Sequence, residues 1–228
     1  MPSRPPGQFD RVKFVVTAGP TREALDPVRF ISNRSSGKMG YAIAEAALAA
    51  GHQVNLISGP ATIEPPKGAR FLAITTSDEL HRAVHRAVRD CDVLVMCAAV
   101  SDFKPANSAS RKLKKQNAPF TLEFVPTRDI LVSLSHESRN YFVVGFAAET
   151  HDLEKNAMQK LRKKNCDMIV ANDVSKADSG MESDENAVSI FCRNGESRKI
   201  SRAPKKNIAR ELVKIISKMS EKCLTKKS

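Results

Sequence analysis

Runs rich in Val and Ile alternate with stretches of helical period from Val12 to Met219, and that alternation leaves the chain few architectures. It specifies a mostly parallel sheet with helices packed on its faces. The apolar runs are Val12–Thr17, Gln53–Ser58, Arg70–Ile74, Asp92–Ala99, Phe120–Val125, Tyr141–Ala147, Met168–Ala171 and a late edge strand at Ala187–Cys192. Asp92–Ala99 is apolar on both alternations, which predicts a central strand covered on both sides.

Between these runs lie the predicted helices. Lys38–Ala50 carries Met39, Ile43, Ala46, Ala47 and Ala50 at three-and-four spacing and stops at Gly51, a C-terminal glycine signal. Thr76-Ser77-Asp78-Glu79 is a capping box that opens a helix through Arg89. Further helices are predicted from Asp129, over Leu153–Asn165 and over Lys206–Met219. The expected fold is therefore a three-layer, Rossmann-like α/β architecture with helices on both faces of the sheet. The proline-containing connection Ser101–Pro119 is too long for a simple turn, and such loops in compact domains usually carry function.

A chain of 228 residues with 41% hydrophobic content can bury one sizeable core, so one domain over residues 11–220 is expected. Met1–Asp10, with three prolines, reads as a frayed leader, and residues 221–228 as a basic tail. No apolar run approaches the roughly 18 residues of a membrane span. The five cysteines are odd in number and widely spaced, which fits a reducing, cytoplasmic setting rather than a disulfide or zinc framework. His81 and His85 sit four apart on a predicted helix, but no Glu lies between them in the zinc-helix pattern and no third ligand lies nearby. The net charge of +12 is concentrated from Arg202 onward, where nine Lys or Arg face two Glu. With 5% aromatic residues and no Trp, the stacking platforms of single-strand binders are missing, which argues against a nucleic-acid module.

Ligands of open α/β sheets bind outside the carboxyl ends of the strands. After the first strand comes Ala18–Gly40, AGPTREALDPVRFISNRSSGKMG, in place of the short G-x-G-x-x-G turn of a dinucleotide site. Its end, Ser35-Ser36-Gly37-Lys38-Met39-Gly40, sets small residues and a lysine at a helix N-terminus, where backbone N–H groups meet anions. A cation in that first turn opposes the helix dipole, so Lys38 is best explained by a bound phosphate or carboxylate. Later strand ends bear CAAVSDFKP (Cys97–Pro105), KLKK (Lys112–Lys115) and VGFAAET (Val144–Thr150). On the helix of QKLRKKNCDMIVANDV (Gln159–Val174), Lys160 and Lys164 stack on one face, a repulsion that a polyphosphate would relieve.

In order and spacing these five motifs resemble the bacterial phosphopantothenoylcysteine synthetases. The resemblance implies ligation of 4′-phosphopantothenate to L-cysteine, driven by CTP through an acyl-cytidylate and releasing CMP and pyrophosphate. It implies Mg2+ or Mn2+ as cofactor, a homodimer, small-molecule substrates only, and a separate protein for the decarboxylation that follows. Carried over by motif, Asn33 and Lys112 are the catalytic residues. Arg29, Asn33, Ser36, Gly37, Lys38, Ala98 and Ala99 would bind phosphopantothenate. Ala98, Asp102, Lys112, Arg128, Asp129, Ile130, Leu131, Phe146, Lys160 and Lys164 would bind the nucleotide. Asp102 is an acceptor-only group suited to the exocyclic amine of cytosine.

The sequence departs from the family pattern at Pro126-Thr127-Arg128-Asp129-Ile130, where many members place proline directly before Asp-Ile, and Gly180–Val188 follows it loosely. Two other activities compete: a nicotinamide-dependent oxidoreductase and a basic nucleic-acid-binding module. The missing glycine fingerprint and the lack of an acidic residue closing the second strand disfavour the first.

Overall fold

A computed structural model of the chain describes residues 11–115, 117, 120–135, 139–149, 152–173 and 183–224. The expected leader Met1–Asp10, Pro119, Thr150, Val174, Gly180–Glu182 and the last four residues of the expected tail lie outside the described residues.

Eight strands form the main sheet in the order β12-β11-β10-β9-β6-β1-β4-β5. In chain order they are β1 (Lys13–Ala18), β4 (Gln53–Ser58), β5 (Arg70–Ala73), β6 (Val93–Met96), β9 (Phe142–Glu149), β10 (Met168–Asp173), β11 (Glu185–Cys192) and β12 (Ser197–Pro204). The six from β10 to β5 are parallel, and β11 and β12 are added antiparallel. Two short ribbons stand apart: β2 (Arg22–Ala24) with β3 (Phe30–Ser32), and β7 (Phe103–Pro105) with β8 (Phe124–Pro126).

The helices are α1 (Lys38–Ala49), α2 (Ser77–Ala87), α3 (Ile130–Ser135), α4 (Leu153–Lys163) and α5 (Lys205–Leu224). Helices α1 and α5 cover one face, where Ile43, Ala47, Ile208, Leu212 and Ile216 meet Phe14, Val16, Leu56, Val95, Val144 and Ile190. On the other face Leu80, Val84, Leu134, Ala157 and Leu161 from α2, α3 and α4 meet Val15, Ile57, Leu94, Val143 and Ile169. Each central strand thus sends alternate side chains into two cores, which is why β1 and β6 read as unbroken apolar runs.

The predicted terminators act as expected. Gly51, at φ 86°, donates its N–H to Leu48 while His52 donates to Ala47, closing α1 in a Schellman motif. Thr76 and Glu79 exchange side-chain and backbone hydrogen bonds at the start of α2.

Four expectations are corrected. Ala187–Cys192 belongs to a strand that is not at the edge, because β12 pairs outside it. That outer strand escaped detection since Ile200 is its one buried residue, as suits a polar edge. The run Asp92–Ala99 leaves the ladder after Met96, where the N–H groups of Cys97 and Ala98 both turn to Thr17 Oγ1 at 3.1 Å. Phe120–Val125 is extended pairing only from Phe124, since its partner β7 is three residues long. At the C-terminus, α5 runs past Met219 through Leu224.

Candidate active site

At the carboxyl ends of β1, β6, β9 and β10 the structure opens into a cleft of about 510 Å³. Its floor is the loop Cys97–Asp102, which β1 and its extension hold by three means. Thr17 takes the N–H groups of Cys97 and Ala98, Thr21 Oγ1 accepts from Ser101 N at 3.0 Å, and Pro20 and Ala99 form a parallel bridge. Both threonines are fully buried, so this floor is fixed by groups that have no solvent alternative.

One wall is the loop entering α1. Asn33 donates its side-chain amide to Ala99 O at 3.1 Å. Gly37 occupies the N-cap of α1 with a left-handed backbone, its N–H donating to Ser35 Oγ at 3.3 Å, and Gly37 to Gly40 line the cleft. The helix comes this close because Gly40 has no side chain: a Cβ there would stand 2.6 Å from Ala18 Cβ. Lys38 Nζ lies 2.5 Å from Asp184 Oδ1.

The facing wall is the turn before α3. Thr127 binds the loop Ser101–Asp102 twice, through its N–H to Asp102 O at 2.9 Å and its hydroxyl to Ser101 O at 2.6 Å. Asp129 caps α3 through Val132 N at 3.1 Å and pairs with Lys164 Nζ at 3.5 Å. The unusual residue order at this turn therefore still delivers Arg128, Asp129, Ile130 and Leu131 to the cleft.

Of the residues named from sequence, Asn33, Gly37, Lys38, Ala98, Ala99, Asp102, Arg128, Asp129, Ile130, Leu131, Phe146, Lys160 and Lys164 line this one cleft. Arg29, Ser36 and Lys112 do not. The guanidinium of Arg29 is bound to Asp26 and to Leu113 O, and Lys112 lies exposed on the adjoining loop.

Lys205 was not anticipated. It is the first residue of α5, only 6% exposed, and it lines the cleft beside Lys38 and Cys97. Burial, then the charge of Lys38, lower its pKa from the ordinary lysine value. Its signal in the sequence was slight: one basic residue among many in a charged segment, far along the chain from its neighbours. Burial also pushes the Cys97 thiol up to about 12, so it stays protonated and unreactive near neutrality. Five cationic side chains (Lys38, Arg128, Lys160, Lys164, Lys205) and two carboxylates (Asp102, Asp129) line the cleft, an excess suited to a polyanion.

Residues 9–219 match the family model described as DNA/pantothenate metabolism flavoprotein C-terminal domain. The chain is 44% identical over 208 residues to the coenzyme A biosynthesis bifunctional protein CoaBC of Bacillus subtilis (strain 168), covering 91% of this chain and 51% of that protein. Its Escherichia coli (strain K12) counterpart is 39% identical over 224 residues, covering 96% of this chain and 55% of the relative. The chain thus spans about half the length of the curated relatives it matches. Among solved structures, the C-terminal domain of a CoaBC protein superposes with a TM-score of 0.80 at 38% identity, covering 92% of this chain and 96% of that one.

Proposed function

The chain belongs to the DNA/pantothenate metabolism flavoprotein C-terminal domain family, and from that premise we propose that it ligates 4′-phosphopantothenate to L-cysteine at the expense of CTP. The reading rests on one observation above the rest: Asn33 from the loop entering α1, Lys38 from α1, Asp102 from the loop after β6, Arg128 from the turn before α3 and Lys160 from α4 converge on one cationic cleft. The relatives named for coenzyme A biosynthesis support the substrate class.

In the first half-reaction an oxygen of the phosphopantothenate carboxylate attacks the α-phosphorus of CTP and pyrophosphate departs, leaving an acyl-cytidylate. The obstacle is charge, because an anion approaches a triphosphate. Lys160, Lys164 and Arg128 offset the triphosphate charge, and Lys112 carries a further cation to the acyl phosphate from its loop. Asn33 holds the carboxylate oxygen, with Lys38 and the N-terminal end of α1 receiving anionic groups beside it. In the second half-reaction the cysteine amine attacks the acyl carbon, CMP leaves and the amine proton passes to solvent. Asp102 favours cytosine by accepting from its exocyclic amine.

Among the described residues no three His, Cys, Asp or Glu side chains group as a metal site. The cleft carboxylates, Asp102 and Asp129, suit the sparse protein ligation of magnesium, which commonly rests on one or two carboxylates plus substrate phosphates. When bound, the ion would spread the negative charge of the triphosphate. No helix among the described residues is long and apolar enough to cross a membrane.

We also propose a homodimer. Val28, Phe30, Phe103 and Phe124 are between 40% and 60% exposed on the adjacent β2–β3 and β7–β8 ribbons, more apolar surface than such short elements carry without a partner. The product retains a carboxylate on its cysteine moiety, so a decarboxylase is the proposed next catalyst, whichever chain bears it.

Pyrophosphate release by the purified protein tests the reading. It should require phosphopantothenate and CTP together, with ATP a poor substitute, and cysteine should convert the intermediate to the amide. Release that ignores phosphopantothenate, or none with any nucleotide, rejects it.

A further inference from the structure

Among the described residues, Asp26 is a heavily used carboxylate outside the cleft. Its side chain is 0% exposed, and its two oxygens divide their work. Oδ1 accepts from the N–H groups of Val28 and Arg29, both at 2.8 Å, and so shapes the turn between β2 and β3. Oδ2 accepts from three donors: Arg29 Nε at 3.0 Å, Arg29 Nη2 at 2.5 Å, and Leu113 N at 3.0 Å. The same Arg29 nitrogen, Nη2, also donates to Leu113 O at 2.7 Å. Leu113 is therefore gripped at both its N–H and its C=O by one ion pair, and it is the immediate neighbour of Lys112.

A second tie lies four residues earlier, where Ala109 N donates to Leu25 O at 2.9 Å. Lys112 thus hangs between two anchors supplied by the same Leu25–Arg29 turn. An exposed loop with no such anchors would sample many positions, and a lysine placed by it would meet the acyl phosphate rarely. Burial of the Asp26 carboxylate is tolerable because both its oxygens accept from N–H donors and one of those donors carries a positive charge.

We infer that Asp26 and Arg29 are positioning residues, a latch that holds the Leu113 backbone and thereby aims Lys112 at the reacting phosphate. The inference rests on the ligase reading above. In it, Arg29 acts through the loop and does not touch the substrate carboxylate, contrary to the role the family resemblance implied.

Asp26→Asn separates the latch from the turn. An asparagine oxygen can still accept from Val28 and Arg29, while its NH2 would face the three donors that Oδ2 now serves. Trypsin digestion of the full chain reads the loop directly, since Arg111, Lys112, Lys114 and Lys115 lie within it. Cleavage there should quicken roughly tenfold or more in Asp26→Asn, as the population of the open loop rises. Turnover in pyrophosphate release should fall, on the order of a hundredfold, while KM for phosphopantothenate stays near that of the unaltered protein. Arg29→Lys keeps the charge but loses the fork and should fall between the two. Lys112→Gln should lose turnover yet keep Arg111 and Lys114 as resistant to trypsin as before.

Unaltered trypsin rates in Asp26→Asn would abolish the latch, whatever the activity. A loosened loop with undiminished turnover would show that the latch positions nothing, and a raised KM with normal kcat would return Arg29 to direct substrate contact. If the unaltered protein releases no pyrophosphate, the ligase reading fails and the trypsin comparison still decides the latch.

Discussion

Asn33 and Ala99 are joined across 3.1 Å by the amide of one and the carbonyl of the other, a hydrogen bond that links the loop before α1 to the loop after β6 where both line the cleft. Asn33→Asp is isosteric but sets a carboxylate oxygen against a carbonyl. Turnover in pyrophosphate release should drop roughly tenfold or more. The unfolding midpoint should fall by no more than a few degrees, because Ala99 O keeps its hydrogen bond from Thr21 N at 3.0 Å. Full activity in this variant would remove Asn33 from the reaction.

Lys112 stands exposed, and removing its charge costs no packing. Lys112→Gln should keep the Tm of the unaltered chain and lose on the order of a hundredfold in overall turnover. Calorimetry and a coupled pyrophosphate assay on one preparation check both halves.

Lys205 pays for its place in the cleft. Its lowered pKa, caused first by burial, means that the folded state holds the lysine proton less firmly than the unfolded state does. Lys205→Met should keep or raise the Tm near neutral pH, yet weaken binding of the triphosphate, read by titration calorimetry. A destabilised variant with unchanged nucleotide affinity would make Lys205 a structural residue only.

His52 ties α5 to the sheet. It is buried, its Nε2 lies 3.1 Å from Ser217 Oγ, and its ring stands 5.2 Å from that of Phe14. Burial lowers its pKa below the ordinary 6.5, against a smaller opposing pull from Glu221. As pH falls below about 6.5 the unfolded chain takes up this proton before the folded one, so stability is lost, and the loss ceases once pH has passed below the folded value. The Tm should therefore decline from pH 7 toward pH 5, and His52→Gln should flatten that decline. The flattening will be partial, because His81, lowered by burial and by His85, contributes with the same sign.

The exposed ribbons predict the assembly. Sedimentation of the unaltered chain should give a dimer, and Phe30→Glu with Phe124→Glu should give a monomer that retains its far-ultraviolet spectrum. A monomer in both cases would leave Val28, Phe30, Phe103 and Phe124 unexplained by self-association.

Much of this fold could be read directly because its central strands are covered on both sides. Val93, Leu94 and Val95 are apolar without interruption, and no other element of a small domain demands that. The β2–β3 ribbon was invisible for the opposite reason. Three residues such as Arg22–Ala24 carry no periodicity, and their pairing is set by what they pack on. The cleft divides in the same way. Asn33, Lys38, Asp102 and Phe146 sit in motifs at strand ends, whereas Lys205 reaches the site only because α5 folds back over α1, a tertiary fact with no local trace. Nor did its motif disclose that the Arg29 guanidinium is engaged by Asp26 and Leu113 O, contacts that depend on the tertiary fold.

The cleft draws on Asn33 near one end of the chain and Lys205 near the other, with β1 placed between strands that are made later. A polypeptide emerging from the ribosome would accordingly lack the complete cleft until Lys205 had been added. Products of translation interrupted before that point, even those long enough to collapse, would present the cleft without its buried lysine.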